Sequence, residues 1–161
     1  MAYASKELKT KVVGLIKDQA KAKDIKITLN TKIVNYSTLK VNISACSIDL
    51  RTNLIQTLTA RLDSMKQSGC YGVNEYETLE KALADNTNRT DENIEYYGLS
   101  FSTNYLDRYF TGEALNLVED ILKSIKCDFY DNSNPMVDYF DTAYYWDLSI
   151  GKNKGGFVHK S

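Results

Sequence analysis

The stretch Ser5–Cys46, SKELKTKVVGLIKDQAKAKDIKITLNTKIVNYSTLKVNISAC, decides the fold class because its apolar period changes once, at Asp24. From Ser5 to Lys23, Leu8, Val12, Leu15, Ile16 and Gln19 fall on one stripe and lysines fill much of the rest, as in an amphipathic helix. After Asp24 the period drops to two. Ile25, Ile27 and Leu29 alternate with Lys26, Thr28 and Asn30; Leu39, Val41, Ile43 and Ala45 alternate with Lys40, Asn42 and Ser44. This predicts two half-buried strands with the polar stretch Asn30–Asn35 as their turn, and so short a connection makes them an antiparallel hairpin.

A similar unit ends the chain. Thr111 is a good helix cap, and Leu115, Val118, Ile121, Leu122 and Ile125 form a helical stripe up to Lys126. A short strand around Cys127–Tyr130, a polar loop Asp131–Pro135 and a long strand Asp138–Ile150 follow. A shift of 102 lays Val12, Val13, Leu15 and Ile16 on Ala114, Leu115, Leu117 and Val118. A shift of 105 lays Leu39, Val41, Ile43 and Ala45 on Tyr144, Trp146, Leu148 and Ile150. The expectation is an α+β fold in which an antiparallel sheet is covered by helices. It comprises two pseudo-symmetric helix–strand–strand units, 5–46 and 111–151, with an insertion at 47–110. In the alternative each hairpin belongs to its own small sheet.

The insertion reads as a helix capped by Asp49 or Thr52, with Leu54, Leu58, Leu62 and Met65 inward and Gly69 at its end. A helical stretch Glu75–Ala84, a polar loop Asp85–Asn93 and a strand Ile94–Thr103 come next, with Gly98 as a bulge or close-approach point. Residues 104–110 extend that strand or form a turn. The single domain runs 1–151, and 152–161 is a flexible basic tail.

A chain of 161 residues, 43% hydrophobic, can bury a core without metals or disulfides. It has no apolar run near the roughly 18 residues that span a bilayer, and its N-terminus lacks a signal-peptide pattern. Cys46, Cys70 and Cys127 are odd in number and widely spaced, which suggests neither a disulfide framework nor a zinc site. The glycosylation-like triplets at Asn35, Asn42 and Asn88 are read as chance in a chain rich in Asn and Thr. The expected setting is the cytoplasm of a bacterial host cell, without membrane attachment and without a cofactor.

The net charge of −1 conceals a segregation. Residues 1–40 carry +6, 41–110 carry −4, 111–149 carry −6, and the final twelve residues carry three lysines. Opposite-sign segments either face one another in the fold or present separate basic and acidic faces to partners.

Catalytic chemistry finds little material. His159 is the only histidine and lies in the expected tail, which removes the fixed base that Ser–His or Cys–His mechanisms need. The glycines of 151–156 lack the strand-to-helix context of a phosphate loop. Asp128, Asp131, Asp138, Asp141 and Asp147 occur with no Lys or Arg between Cys127 and Gly151. Strand alternation sets Tyr139, Asp141, Tyr145 and Asp147 on one face and Phe140, Tyr144, Trp146, Leu148 and Ile150 on the other. Asp141 and Asp147 then stand roughly 20 Å apart, too far to share an ion or a scissile bond. The acidic tyrosine face is either a solvated sheet face or a partner-binding surface, tyrosine supplying rigid amphipathic contact area. The alternative is nucleic-acid binding by the first helix through Lys9, Lys11, Lys17 and Lys21. Against it, the aromatic residues cluster with the acids. A homodimer is compatible with the exposed strand edges.

Three segments, Asn35–Ile43 (NYSTLKVNI), Leu99–Gly112 (LSFSTNYLDRYFTG) and Asp138–Lys152 (DYFDTAYYWDLSIGK), are similar to the polyvalent-protein-associated domains of phage and conjugative elements. The chain departs from that group in lacking glycine- and tryptophan-rich strand ends. The resemblance implies a non-enzymatic accessory protein that binds and blocks a host or defence-system protein, a counter-defence inhibitor, and it carries over no catalytic residue.

Overall fold

The computed structural model describes residues 2–88, 96–133, 136 and 142–160. Helix α1 (Lys6–Ala22) starts where Ser5 Oγ accepts the Leu8 N–H at 3.0 Å, and it buries Leu8, Val12, Ile16 and Ala20. It ends in a left-handed residue, Asp24, with φ of 55°. The Ile25 N–H reaches Ala20 O and the Asp24 N–H reaches Lys21 O, the paired bonds that satisfy a helix's last carbonyls. The change of period at Asp24 is therefore a physical stop.

Strands β1 (Ile27–Val34) and β2 (Thr38–Cys46) form the expected antiparallel hairpin, with a register irregularity between Thr28 and Leu29. Its turn lies later than predicted. β1 continues through Asn30–Val34, and the reversal falls at Asn35 and Tyr36, with φ of 52° and 60°. Left-handed backbone at two successive residues is what a tight hairpin turn requires, and the Ser37 N–H closes it on Val34 O. Asn30 and Lys32 are polar because they are outward positions of an alternating strand.

Helix α2 (Leu50–Ser68) is capped by Asp49, which accepts from the backbone and hydroxyl of Thr52, and it stops at Gly69 with φ of 65°. Helix α3 (Val73–Asn88) absorbs the start of the expected polar loop, and Arg89–Asn93 lie outside the described residues. A short helix α4 (Leu106–Tyr109) precedes α5 (Gly112–Ile125), which buries Ala114, Leu117, Val118, Ile121 and Ile125. Thr111 precedes α5 as expected, but its N–H is held by Asn53 Oδ1 at 3.0 Å and its hydroxyl meets Thr57, so α2 anchors the start of α5.

The expected strand Ile94–Thr103 is not formed in its described part. The buried Asn86 side chain takes both the N–H and the C=O of Ser100, at 2.6 and 2.9 Å, which removes the groups a ladder would use. One edge bond remains, from the Leu99 N–H to Ile150 O. Gly98 is the close-approach point, since a Cβ there would lie 2.7 Å from Ile150 O.

The α+β class holds, but the sheet is completed in another way than by two paired hairpins. β3 (Tyr145–Ile150) pairs with β2 in parallel, from Thr38↔Tyr145 to Ile43↔Ile150. Among the described residues the second unit's antiparallel contact is a single bridge, Asp131↔Thr142, with the Ala143 N–H bonded to Tyr130 O. A parallel pair needs a long crossover, and the helices from α2 to α5 supply it. The tail expected to be loose is docked. β4 (Val158–His159) pairs in parallel with Ala45 and Cys46, continuing the edge of β2 where β3 leaves it. One contiguous core, from Ala4 to Ile150, joins Leu39, Val41, Ile43, Leu148 and Ile150 of the sheet to the helices. No helix among the described residues is long and apolar enough to cross a membrane.

The docked tail turns on Gly151, where φ is 73° and an added Cβ would lie 2.7 Å from the Phe157 N. Gly69 has a similar φ in open space. Gly69→Ala should therefore lose only the left-handed penalty, roughly 1–2 kcal/mol. Gly151→Ala should lose clearly more, with each kcal/mol lowering Tm by about 2–4 °C in a chain of this size. Thermal unfolding of both variants checks the difference, and equal losses would contradict the packing of the tail.

Candidate functional site on the open sheet face

Among the described residues, α1, α2 and α5 pack into the core on one face of the sheet, and the β2 residues of the other face are polar. Alternation puts Thr38, Lys40, Asn42 and Ser44 of β2 opposite its buried Leu39, Val41 and Ile43. Register then sets cross-strand rows on the open face: Val34–Thr38–Tyr145, Lys32–Lys40–Asp147 and Asn30–Asn42–Ser149. The last two rows floor a hollow of about 400 Å³, also lined by Tyr96 and Lys152.

Asn42 builds that floor. It is 8% exposed, and its Oδ1 accepts from Ser149 Oγ at 3.0 Å and from the Lys152 N–H at 2.9 Å. Its Nδ2 donates to Asn153 Oδ1 at 3.1 Å, and Asn153 in turn donates to the carbonyls of Lys154 and Gly156. One buried amide thus fixes the end of β3 and the loop after it.

At the other end of the face three tyrosines converge from separate segments. Tyr3, Tyr36 and Tyr145, exposed by 62%, 82% and 54%, border a second hollow of about 480 Å³ with Ala2, Asn35, Ser37 and Thr142. Backbone bonds fix the three strands of chain together: Tyr3 N–H to Ala143 O, Ala4 N–H to Tyr36 O, and Tyr145 N–H to Ser37 O. Beneath them Tyr144 is buried and donates its hydroxyl to Ile125 O at 2.6 Å, edge-on to Phe129.

Of the predicted partner-binding residues, Tyr145 and Asp147 share the open face as alternation requires, while Tyr139 and Asp141 lie outside the described residues. The face around Asp147 is basic rather than acidic, because Lys40 is its register neighbour and Lys32 and Lys152 line the same hollow. Of the α1 lysines, Lys17 and Lys21 are exposed, Lys9 is half-buried, and Lys11 holds Asp128 at 2.8 Å. Hydrogen bonding to Asp128 raises the Lys11 pKa. Lys23 likewise holds Asp120 at 2.7 Å, so the basic and acidic segments partly face each other. The strand pattern of β2 exposed Lys40 and Asn42 to inspection. Lys32 was missed with the extension of β1, and Lys152, Tyr96, Tyr3 and Tyr36 carry no local signal.

His159 is held on β4, with Nε2 2.9 Å from Ser47 O and Nδ1 3.8 Å from Asp49. Burial pushes the Cys46 thiol up, away from nucleophilic use. Among the described residues no three His, Cys, Asp or Glu side chains group as a metal site would. Comparison with known protein families, with curated proteins and with solved structures finds no match for the chain.

Two outcomes test this geometry. Asn42→Ala removes three hydrogen bonds, each worth about 1 kcal/mol net, so the denaturation midpoint should fall and trypsin should cut sooner at Lys152 and Lys154; unchanged cleavage would contradict the hub. Burial pushes the Tyr144 phenol up from 10.0 to about 12. The folded state then keeps a proton that the unfolded state releases, so stability is intact below pH 10 and falls as pH rises toward 12. Denaturant titrations at stepped alkaline pH should show this fall, and Tyr144→Phe should flatten it.

Proposed function

We propose that the chain is a non-enzymatic accessory protein that binds and blocks a protein partner through the tyrosine-lined end of its sheet. The observation that carries this reading is the convergence of Tyr3, Tyr36 and Tyr145, all exposed, around one hollow whose backbone is held by interstrand bonds. Tyrosine is enriched among the residues that dominate binding energy, because a rigid ring buries area at small entropic cost while its hydroxyl keeps a hydrogen bond. Tyr36 is presented at the tip of the hairpin in a left-handed conformation, which a bulky residue adopts only at a conformational cost. The resemblance of the three segments to polyvalent-protein-associated domains supports a phage or mobile-element setting, with a host or defence-system protein as target. The nucleic-acid alternative through Lys9, Lys11, Lys17 and Lys21 is weakened by the engagement of Lys11 with Asp128.

Parallel affinity captures test the assignment. Tyr36→Asn keeps a residue that tolerates left-handed φ, and Tyr145→Thr keeps a strand former, so the double variant preserves the fold while removing both rings. The wild type and a Lys17→Glu/Lys21→Glu variant should retain the same protein. The tyrosine variant should bind it at least about tenfold more weakly, the loss expected for removing rings worth 2 kcal/mol or more. Equal retention by the tyrosine variant, or capture of nucleic acid alone, would overturn the reading.

A further inference from the structure

We infer that the hollow over the rows Lys32–Lys40–Asp147 and Asn30–Asn42–Ser149 binds a nucleoside phosphate. This site is separate from the tyrosine-lined end and does not depend on the function proposed for it.

Lys32 and Lys40 are direct cross-strand partners, and Lys152 is brought to the same hollow from beyond β3. Like charges directly opposite in a ladder destabilise it. Among the described residues Asp147 is the one acid lining the hollow, and none of these three lysines makes an ion pair within 4.0 Å. In a chain with a net charge of −1, the described lining of this one concavity thus carries an excess of two positive charges. An anion seated there relieves the repulsion and takes charge-assisted hydrogen bonds from ammonium groups on three segments.

The hollow is also rigidly framed. The Lys152 backbone is tied to Asn42 Oδ1 at 2.9 Å, and Lys32 and Lys40 stand on paired strands, so the cationic groups spring from a fixed frame. A prepared frame lowers the ordering cost of binding.

The rest of the lining favours a nucleotide over a bare phosphate. Asp147 accepts hydrogen bonds and repels a simple anion, but a ribose hydroxyl or a base amino group gives it a donor. Asn30, Asn42 and Ser149 add neutral polar groups to the same lining. Tyr96, largely exposed, supplies an aromatic ring at the hollow, where a base can stack. The chain carrying it is seated by the Gly98 contact and by the Leu99 N–H bond to Ile150 O at 2.8 Å. The volume of about 400 Å³ falls in the range of roughly 300–1,000 Å³ typical of small-ligand sites.

Calorimetry and backbone amide NMR on the full chain test the inference, with AMP, ADP, ATP, inorganic pyrophosphate and a short oligothymidylate as probes. Affinity should rise from AMP to ATP and fall with added salt, and the shifted amides should include Lys32, Lys40, Asp147 and Ser149. Lys40→Ser and Lys152→Ser should each weaken ATP about tenfold, the scale of one lost hydrogen bond to a charged group. Tyr96→Ala should weaken nucleotides and leave pyrophosphate unchanged. Binding of mononucleotides identifies a free nucleotide as the source; binding of the oligonucleotide alone, with the same amides shifted, identifies a nucleotide unit within a strand. Either supports the site. The inference is overturned if no probe binds at millimolar concentration, if pyrophosphate binds as tightly as ATP, or if the shifts fall elsewhere. Unchanged affinity in both lysine variants would also overturn it.

Discussion

Both edges of β2 need hydrogen-bond partners, and the rest of the molecule is arranged around that need. Its buried face, Leu39, Val41 and Ile43, places it at the centre of the core, where an unpaired backbone would be costly. β1 satisfies one edge as a local hairpin. The other edge is filled in sequence by β3, by the Gly151 N–H on Ile43 O, and by β4 with the Lys160 N–H on Cys46 O. The segment after β3 is ordered because β2 still has groups to pair beyond Ile43. Asn42 repeats the logic with a side chain, since a buried amide among these strands must also find donors and acceptors.

The charge segregation resolves into two different arrangements. On the helical side, basic and acidic segments meet, as in Lys11–Asp128 and Lys23–Asp120. On the open sheet face they do not cancel: Asp147 joins a row that already holds two lysines. A linear charge profile assigns Asp147 to an acidic segment, whereas the field it sits in is set by neighbours distant in sequence. Among the described residues, the face that holds Tyr145 and Asp147 therefore has a tyrosine end and a cationic end.

What was legible in the sequence follows the range of the interactions responsible. Leu8, Val12 and Ile16 of the α1 stripe, its stop at Asp24, a cap at Asp49 or Thr52 and the Gly69 stop are local and legible, whereas Gln19, expected in the stripe, is exposed and Ala20 is buried in its place. The alternation of β3 also held, with Tyr145, Asp147 and Ser149 opposite Leu148 and Ile150. The turn at Asn35–Tyr36 falls later than the polar stretch suggests because Asn30 and Lys32 are polar for two reasons at once, lying on the solvated face of β1 and close to a reversal. Ile94–Thr103 has strand-like composition, and a distant side chain, Asn86, decides otherwise. The parallel partner of β3 was hidden because pattern specifies which face is buried and says nothing about the direction of the neighbouring strand. Tyr3, Tyr36 and Lys152 reached the candidate sites by the same non-local route.

The parallel pairing of β2 with β3 also bears on how the chain reaches its native state. The hairpin β1–β2 closes a short loop, whereas the second edge of β2 waits for strands lying most of the chain away. Non-local pairing of this kind raises the loop-closure entropy to be overcome before it is rewarded, and it slows folding. During synthesis β2 emerges well before β3, and its open edge is then a template for strand addition by another chain. The lysine at position 40, in the middle of that strand, is the sort of residue that discourages such pairing. The same charge that shapes the hollow in the finished sheet thus guards an unfinished one.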